Sequence, residues 1–375
     1  MKLTCDKQQL QDALSLVGRA VSNKTTNPIL ECILLKAADA LSLTASDLDI
    51  TINVENVPAE VEQQGNVALN AKLLTEVVRK MPGDFITLDV DNNVAFIKSG
   101  RSKLKIVGQP AEEFPTTPED EIIYIGTKYK LKAPILRDMI RKTIFSVSTD
   151  PSNLVLTGEL MQINDNRLRV VAVDMFRISF RSEILNGENT VESKSIVPAK
   201  ALNELSRILP TSEKENEVNF YFTEKRAVFE TNEFTLSSRI IEGNYIRFEQ
   251  IFSEDFATKA ICNRQELLSM FERAILVASD SRMLPIKIDI GNDEINVSTS
   301  SERGEVDDVV ECKVDGKELT IYFNPRYFIE ALRALEDEQV ELKFNTQLSP
   351  CNIKGVNAEM DARYLIVPLR PPSQV

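Results

Sequence analysis

Asn70–Pro82 reads NAKLLTEVVRKMP, Val197–Pro210 reads VPAKALNELSRILP and Asn324–Leu335 reads NPRYFIEALRAL. Superposed so that Lys72, Lys200 and Arg326 coincide, the three stretches lie at offsets of 128 and 126 residues. Each spaces its apolar residues three and four apart, the period of a helix with one buried face. Asn70 and Asn324 stand where an N-cap satisfies free backbone amides, and Pro198 and Pro325 fall at the first turn, where a missing N–H costs nothing. One helix type therefore occurs three times.

Working outward, a second type recurs at Asp6–Ser22 (DKQQLQDALSLVGRAVS), Lys132–Ser148 (KAPILRDMIRKTIFSVS) and Asn263–Ser279 (NRQELLSMFERAILVAS), at offsets of 126 and 131. Leu10, Leu136 and Leu267 align, as do Ala13, Met139 and Met270, then Leu14, Ile140 and Phe271, then Val17, Thr143 and Ala274. Asp6 with Gln9 and Asn263 with Glu266 have the form of capping boxes. A third landmark, Asp47, Asp174 and Glu302, recurs at 127 and 128 residues and reads as a set of turn carboxylates. Between the helices lie β-branched or alternating stretches such as LSLTASDLDITINV, EFTLSSRII and ELTIYF, which read as short strands.

Three copies of two helices plus many strands predict an α+β chain with domains at residues 1–122, 123–250 and 251–375. The acidic, turn-rich stretches FPTTPEDE from Phe114 and FEQIFSEDF from Phe248 suit connectors. A chain of 375 residues has room for three such cores. With 27% charged and 43% hydrophobic residues it is neither disordered nor membrane-spanning in composition, and its start, MKLTCDKQQL, lacks a signal-peptide apolar region. A cytoplasmic protein is expected.

Composition also limits the chemistry. There is no histidine, so no Ser-His or Cys-His pair can be built and no imidazole can bind metal. The five cysteines are scattered without C-x-x-C spacing, and the 13 glycines form no phosphate-cradling loop. Cys5 and Cys262 align with Leu131, which marks an apolar core position. A catalyst, a metal site and a cofactor are all disfavoured.

The net charge is −13, yet the second helix type keeps a basic pair seven residues apart in every copy: Lys72 and Arg79, Lys200 and Arg207, Arg326 and Arg333. Two helical turns put both members of a pair on one face. A solvated surface explains any single pair; threefold recurrence on an acidic chain points to one polyanion shared by the copies. Lys24, Arg137 and Arg141 add to that set. Aromatics are only 6% and tryptophan is absent, so phosphate contact to duplex DNA fits better than stacking on single strands.

NPIL at Asn27–Leu30, SGRSKLKI at Ser99–Ile106, PAEEFP at Pro110–Pro115, LTG at Leu156–Gly158, VVAVDMFRIS at Val170–Ser179, IVPAKAL at Ile196–Leu202, IEGNY at Ile241–Tyr245 and YLIVPLR at Tyr364–Arg370 together resemble the bacterial DNA polymerase III beta subunit, the replication sliding clamp, over essentially the whole chain. The resemblance implies a head-to-tail homodimeric ring of six domains around double-stranded DNA, held without sequence preference. It implies as partners the polymerase catalytic subunit, the clamp loader and other proteins carrying a clamp-binding peptide. That peptide would dock in a cleft of Leu156, Val173, Met175, Phe176, Arg177, Ile178, Ile246, Ile251, Asn324, Tyr327, Leu348, Val367, Pro368, Leu369 and Arg370. The dimer contact would pair Leu104 and Ile106 with Leu276 and Val277 of the other copy. Met175, Phe176 and Ile246 depart from the family pattern and would make the cleft greasier and narrower, and the tail PPSQV runs past the usual end. The other class of reading, a Ser-Lys or carboxylate hydrolase on a repeat scaffold, requires a polar cluster that breaks the threefold pattern, and the sequence shows none.

Overall fold

A computed structural model describes residues 1–22, 25–116, 121, 127–187, 191–212, 216–252, 256–278, 285–356 and 361–371. The expected boundary at 122/123 and the tail beyond Pro371 lie outside the described residues. Among the described residues the long helices are α1 (Lys7–Val17), α2 (Ala71–Lys80), α3 (Ala133–Arg141), α4 (Ala199–Ile208), α5 (Arg264–Val277) and α6 (Pro325–Ala334). All twelve aligned positions of the first helix type are buried, from Leu10 to Ala274. The caps form as the sequence requires: Asp6 accepts from the Gln9 amide, Asn70 from Leu73, Asn263 from Gln265 and Glu266, and Asn324 from Arg326. Pro325 opens α6, whereas Pro198 ends the strand before α4. None of the described helices is long and apolar enough to cross a membrane.

The chain condenses into two compact units, Met1–Pro134 with Arg207–Ile240, and Ile135–Ser206 with Ile241–Val375. The second repeat is divided between them because its two sheets join different neighbours. In the first unit a five-stranded antiparallel sheet runs Ala59–Gln63, Lys2–Asp6, Phe85–Asp91, Val94–Ser99, Ser102–Val107. Its second sheet has eight strands: Tyr129–Lys132, Glu217–Phe222, Arg226–Glu230 and Thr235–Arg239 from copy two, then Ile50–Val57, Leu41–Ser46, Cys32–Ala37 and Gly65–Asn70 from copy one. The seam is a regular ladder, Thr235 facing Asn53 and Ser237 facing Thr51.

The second unit joins the other part of copy two to copy three in the same way. Ser193–Pro198, Gly158–Asn164, Arg167–Val173 and Arg177–Ile184 of copy two continue into Asp361–Ile366, Cys351–Gly355, Gln339–Phe344 and Thr258–Asn263 of copy three. Gly304–Gly316, Glu294–Ser301, Ile286–Gly291 and Leu319–Phe323 complete a twelve-stranded sheet. Its seam places Arg177 opposite Ile366 and Ser179 opposite Tyr364. Under this sheet α5 and α6 meet through Phe271 and Phe328, stacked at 4.6 Å, in a core that includes Leu267, Met270 and Leu332. Removing any one of these large side chains costs roughly 2–5 kcal/mol.

The turn carboxylates behave as expected in two copies. Asp47 Oδ1 accepts from the Asp49 and Ile50 amides, and Asp174 Oδ1 from Phe176 and Arg177. In copy three the acceptor is the Ser301 hydroxyl, bonded to the Arg303 amide, rather than Glu302, because the serine sits one residue earlier and its short side chain reaches the same turn.

Candidate nucleic-acid interface, docking cleft and open sheet edges

The basic pairs are presented as their spacing predicts. Because α2, α4 and α6 bury Leu74 and Val78, Leu202 and Leu205, and Phe328 and Leu332 respectively, the opposite faces expose Lys72 and Arg79, Lys200 and Arg207, Arg326 and Arg333. Arg79 is held by Glu76 at 2.6 Å and Arg333 by Glu272 at 2.7 Å; both pairs are exposed, so water and salt screen them and a phosphate can compete. Lys72 and Arg326 form no ion pair among the described residues.

The first helix type is less uniform. Arg141 is exposed, but Arg137 is half-buried and its Nε donates to the Ser206 carbonyl at 2.9 Å, which ties α3 to α4. Lys24 lies outside the described residues.

The cleft residues fall in the second unit and form two groups. Leu156, Val173, Ile178, Ile246 and Val367 meet in one apolar cluster with Val155, Phe180, Tyr245, Phe248, Phe252 and Leu365. Phe176 stacks on Tyr327 at 6.0 Å and 18°, and the Arg177 guanidinium lies 4.7 Å from the Tyr327 ring and 5.4 Å from that of Phe145. Arg177 is fully engaged: its Nε meets Asp174 Oδ2 at 3.0 Å, and its other nitrogens reach Glu330 and the Phe145 carbonyl. Burial and the Asp174 charge push the Tyr327 hydroxyl above its ordinary range. The Val367 amide donates to the Phe176 carbonyl and the Leu369 amide to Tyr322, which fixes the Val367–Leu369 segment beside the aromatic pair.

Asn324 is half-buried as the cap of α6. Met175 and Leu348 are each 78% exposed, Ile251 and Arg370 are also exposed, and Pro368 is half-buried. Phe145, Phe252 and Glu330 had no signal in a motif; only the fold brings them to the site.

Below the apolar cluster the Glu159 carboxyl is fully buried, and its oxygens accept no hydrogen bond among the described residues. The neighbouring Thr143 hydroxyl gives its proton to the Met139 carbonyl at 2.9 Å. Burial pushes the Glu159 carboxyl up to about 8, against a small opposing pull from Thr143.

Of the expected dimer residues, Leu104 and Leu276 are exposed and Val277 is half-buried. Ile106 is 2% exposed: on its strand its side chain faces the sheet's own core rather than the surface.

The repeat also reveals a feature that spacing could not. In copies two and three the last strand of one sheet lies beside the edge strand of the preceding copy's other sheet. Thr235–Arg239 fills that place beside Ile50–Val57, and Asp361–Ile366 fills it beside Arg177–Ile184. The equivalent strand of copy one, Ser102–Val107, pairs only with Val94–Ser99 among the described residues. The equivalent strand of copy three pairs from Gly304 to Glu311 only with Glu294–Ser301. The first open edge carries Arg101, Lys103 and Lys105; the second carries Glu305, Asp307, Asp308 and Glu311.

Comparison with known proteins agrees with this architecture domain by domain. The profile of the DNA polymerase III beta subunit N-terminal domain matches residues 1–118, that of the central domain residues 130–246 and that of the C-terminal domain residues 249–370. The chain belongs to the DNA polymerase III beta subunit family. The beta sliding clamp of Bacillus subtilis (strain 168) is 31% identical over 384 residues, covering 99% of this chain and 100% of the relative. The beta sliding clamp of Synechococcus elongatus is 29% identical and covers 99% of both chains. Among solved structures, a putative beta subunit from Eubacterium rectale ATCC 33656 superposes with a TM-score of 0.93 at 35% identity, covering 98% of this chain and 99% of its own. The Bacillus subtilis DNA polymerase sliding clamp gives 0.93 at 30% identity, covering 99% and 100%. As a beta subunit the chain comprises three tandem clamp domains and is a non-catalytic sliding clamp conferring processivity, with DNA, polymerase and a second copy as its classes of partner. The hydrolase reading finds no support in these relatives.

Proposed function

We propose that two copies of this clamp close head to tail through their open edges, Ser102–Val107 of each against Gly304–Glu311 of the other. The observation that carries the reading is the unfilled place in the repeat. Two of three equivalent junctions are made within the chain, and the strands of the third, Ser102–Val107 and Gly304–Glu311, each lack a neighbour on one side among the described residues. An unpaired edge is a template for another strand, and a heterologous contact yields a ring when its rotation closes. A basic edge opposite an acidic one favours this pairing over each edge's pairing with itself. Exposed Leu104 and Leu276 supply apolar contact beside it.

A closed ring retains duplex DNA by topology, so its phosphate contacts need only be weak and sequence-independent. Lys72, Lys200 and Arg326, with Arg79, Arg207 and Arg333, are the DNA-facing set, joined by Arg141, Lys24 and Arg137. Ile106, on the same edge strand, would contribute its backbone, its side chain staying in the core.

The apolar cluster around Leu156, Val173, Ile178, Ile246 and Val367 and the neighbouring Phe176–Tyr327 pair are the docking place for the polymerase catalytic subunit, the clamp loader and other proteins with a clamp-binding peptide. The exposed Met175, Ile251, Leu348 and Arg370, with Pro368, Leu369 and Asn324, would border it. Arg177 holds the cleft's frame rather than the peptide. The place of action is the cytoplasm.

The test is topological. Clamp loaded on a nicked circle stays bound and escapes once the circle is linearised; equal retention on linear DNA with free ends contradicts the ring.

A further inference from the structure

Three of the five cysteines lie in the core of the third repeat, and two of them face one another. Cys262, in Thr258–Asn263, stands directly opposite Cys312, in Gly304–Gly316, on antiparallel strands. The Cys312 amide donates to the Asp293 carbonyl at 2.8 Å, on the side away from Cys262. The backbone amide and carbonyl of a strand residue point to the same side, so Cys262 and Cys312 form a non-hydrogen-bonded pair. In such pairs the facing Cα atoms approach to about 4.5 Å, within the roughly 4.4–6.8 Å a disulfide spans. The two side chains leave the same face of neighbouring strands, so the thiols adjoin one another. Cys262 is buried, while Cys312 is half-exposed at the margin of the core.

We propose that Cys262 and Cys312 are a peroxide-sensitive dithiol that closes reversibly into a cross-strand disulfide. Cys312 is the residue oxidised first. It is the one a small oxidant can reach, and the adjoining Cys262 thiol holds it below the ordinary cysteine range despite burial and the Asp293 and Glu294 charges. The Cys312 thiolate attacks one oxygen of hydrogen peroxide, the O–O bond breaks, and a sulfenic acid and a hydroxide form. The Cys262 sulfur then displaces the sulfenic oxygen, giving up its proton, and water leaves. Two thiols and one peroxide thus yield one disulfide and two waters, and an external dithiol reverses the step. Cys351 is fully buried and faces neither across a ladder, so it is not the partner.

The bond would be made at a particular place. Among the described residues the strand has one neighbour up to Glu311; from Cys312 onward it gains Thr258–Asn263 on its other side. Oxidation therefore pins the root of the open acidic edge. This consequence, unlike the chemistry, rests on the ring-closing reading.

The experiment treats the full native chain with hydrogen peroxide, blocks remaining thiols with N-ethylmaleimide and maps the peptides. The expected result is a linked Cys262–Cys312 peptide, loss of two hydrogens from the chain mass and full reversal by dithiothreitol. Cys312→Ser removes the linked peptide and Cys351→Ser leaves it intact. Oxidation of Cys312 to the sulfinic acid with Cys262 still alkylated, a link to Cys351, or no change would each overturn the proposal. The disulfide is read within one chain whatever its oligomeric state, so its failure is distinct from failure of the ring.

Discussion

Arg177–Ile184 and Gly304–Glu311 hold the same place in successive repeats, yet one is covered and the other bare. The copy-two strand is buried along its middle and laddered to Asp361–Ile366, with Phe180 and Ile178 in an apolar cluster. The copy-three strand keeps an unpaired edge and exposes Glu305, Asp307, Val309 and Glu311. A junction made within a chain forms with folding at high local concentration and needs no recognition. One made between chains must reject wrong partners, and like charge on a bare edge does so. The difference in composition thus follows from the difference in role.

The largest effect should come from attacking the bare edge. Glu305→Lys with Asp307→Lys places cations opposite Lys103 and Lys105, and light scattering should then find monomer where the unaltered chain is a dimer. Its thermal stability should change little, because both side chains are exposed. A dimer that survives both substitutions would break the comparison.

The covered junction should respond through stability instead. Arg177→Ala strands Asp174 and Glu330 beside the aromatic pair and should cost roughly 1.5–3 kcal/mol in denaturant unfolding, with the mass in solution unchanged.

Glu159 lies in the same copy-two sheet and gives that junction a pH dependence. The folded chain keeps a proton on this carboxyl, pushed up to about 8, where the unfolded chain releases it near the ordinary 4.5. Between those values the native state binds the extra proton, so stability falls as pH rises from about 4.5 towards 8 and levels off above. Glu159→Gln should flatten that slope and raise the melting temperature at pH 8 relative to the parent. An unchanged slope would show that another group titrates there.

Smallest of all is the DNA contact. Replacing Lys72, Lys200 and Arg326 together by alanine should lower the salt dependence of DNA association, each phosphate contact contributing slightly less than one to the logarithmic slope. Retention on a nicked circle should survive, because topology holds the ring.

Much of this was written in the sequence. Period and spacing gave the helices, their buried faces and their caps, since those are local and the copies average out chance. Turn carboxylates were legible at Asp47 and Asp174 for the same reason. The inward direction of Ile106 was not legible, because alternation along a strand says which residues share a face but not which face is the core. Cys262 with Cys312, and Arg177 with Glu330, are pairings across long stretches of chain that only the sheet register and the packing of α6 create. The fusion of sheets across repeats was hidden too, because strand pairing between copies leaves no periodic mark.

Solution mass by light scattering tests the edge-to-edge closure most directly. The unaltered chain, and a chain with both edges reversed (Lys103→Glu, Lys105→Glu, Glu305→Lys, Asp307→Lys), should each give twice 42.2 kDa at micromolar concentration. A monomeric unaltered chain, or a doubly reversed chain that stays monomeric, would contradict it.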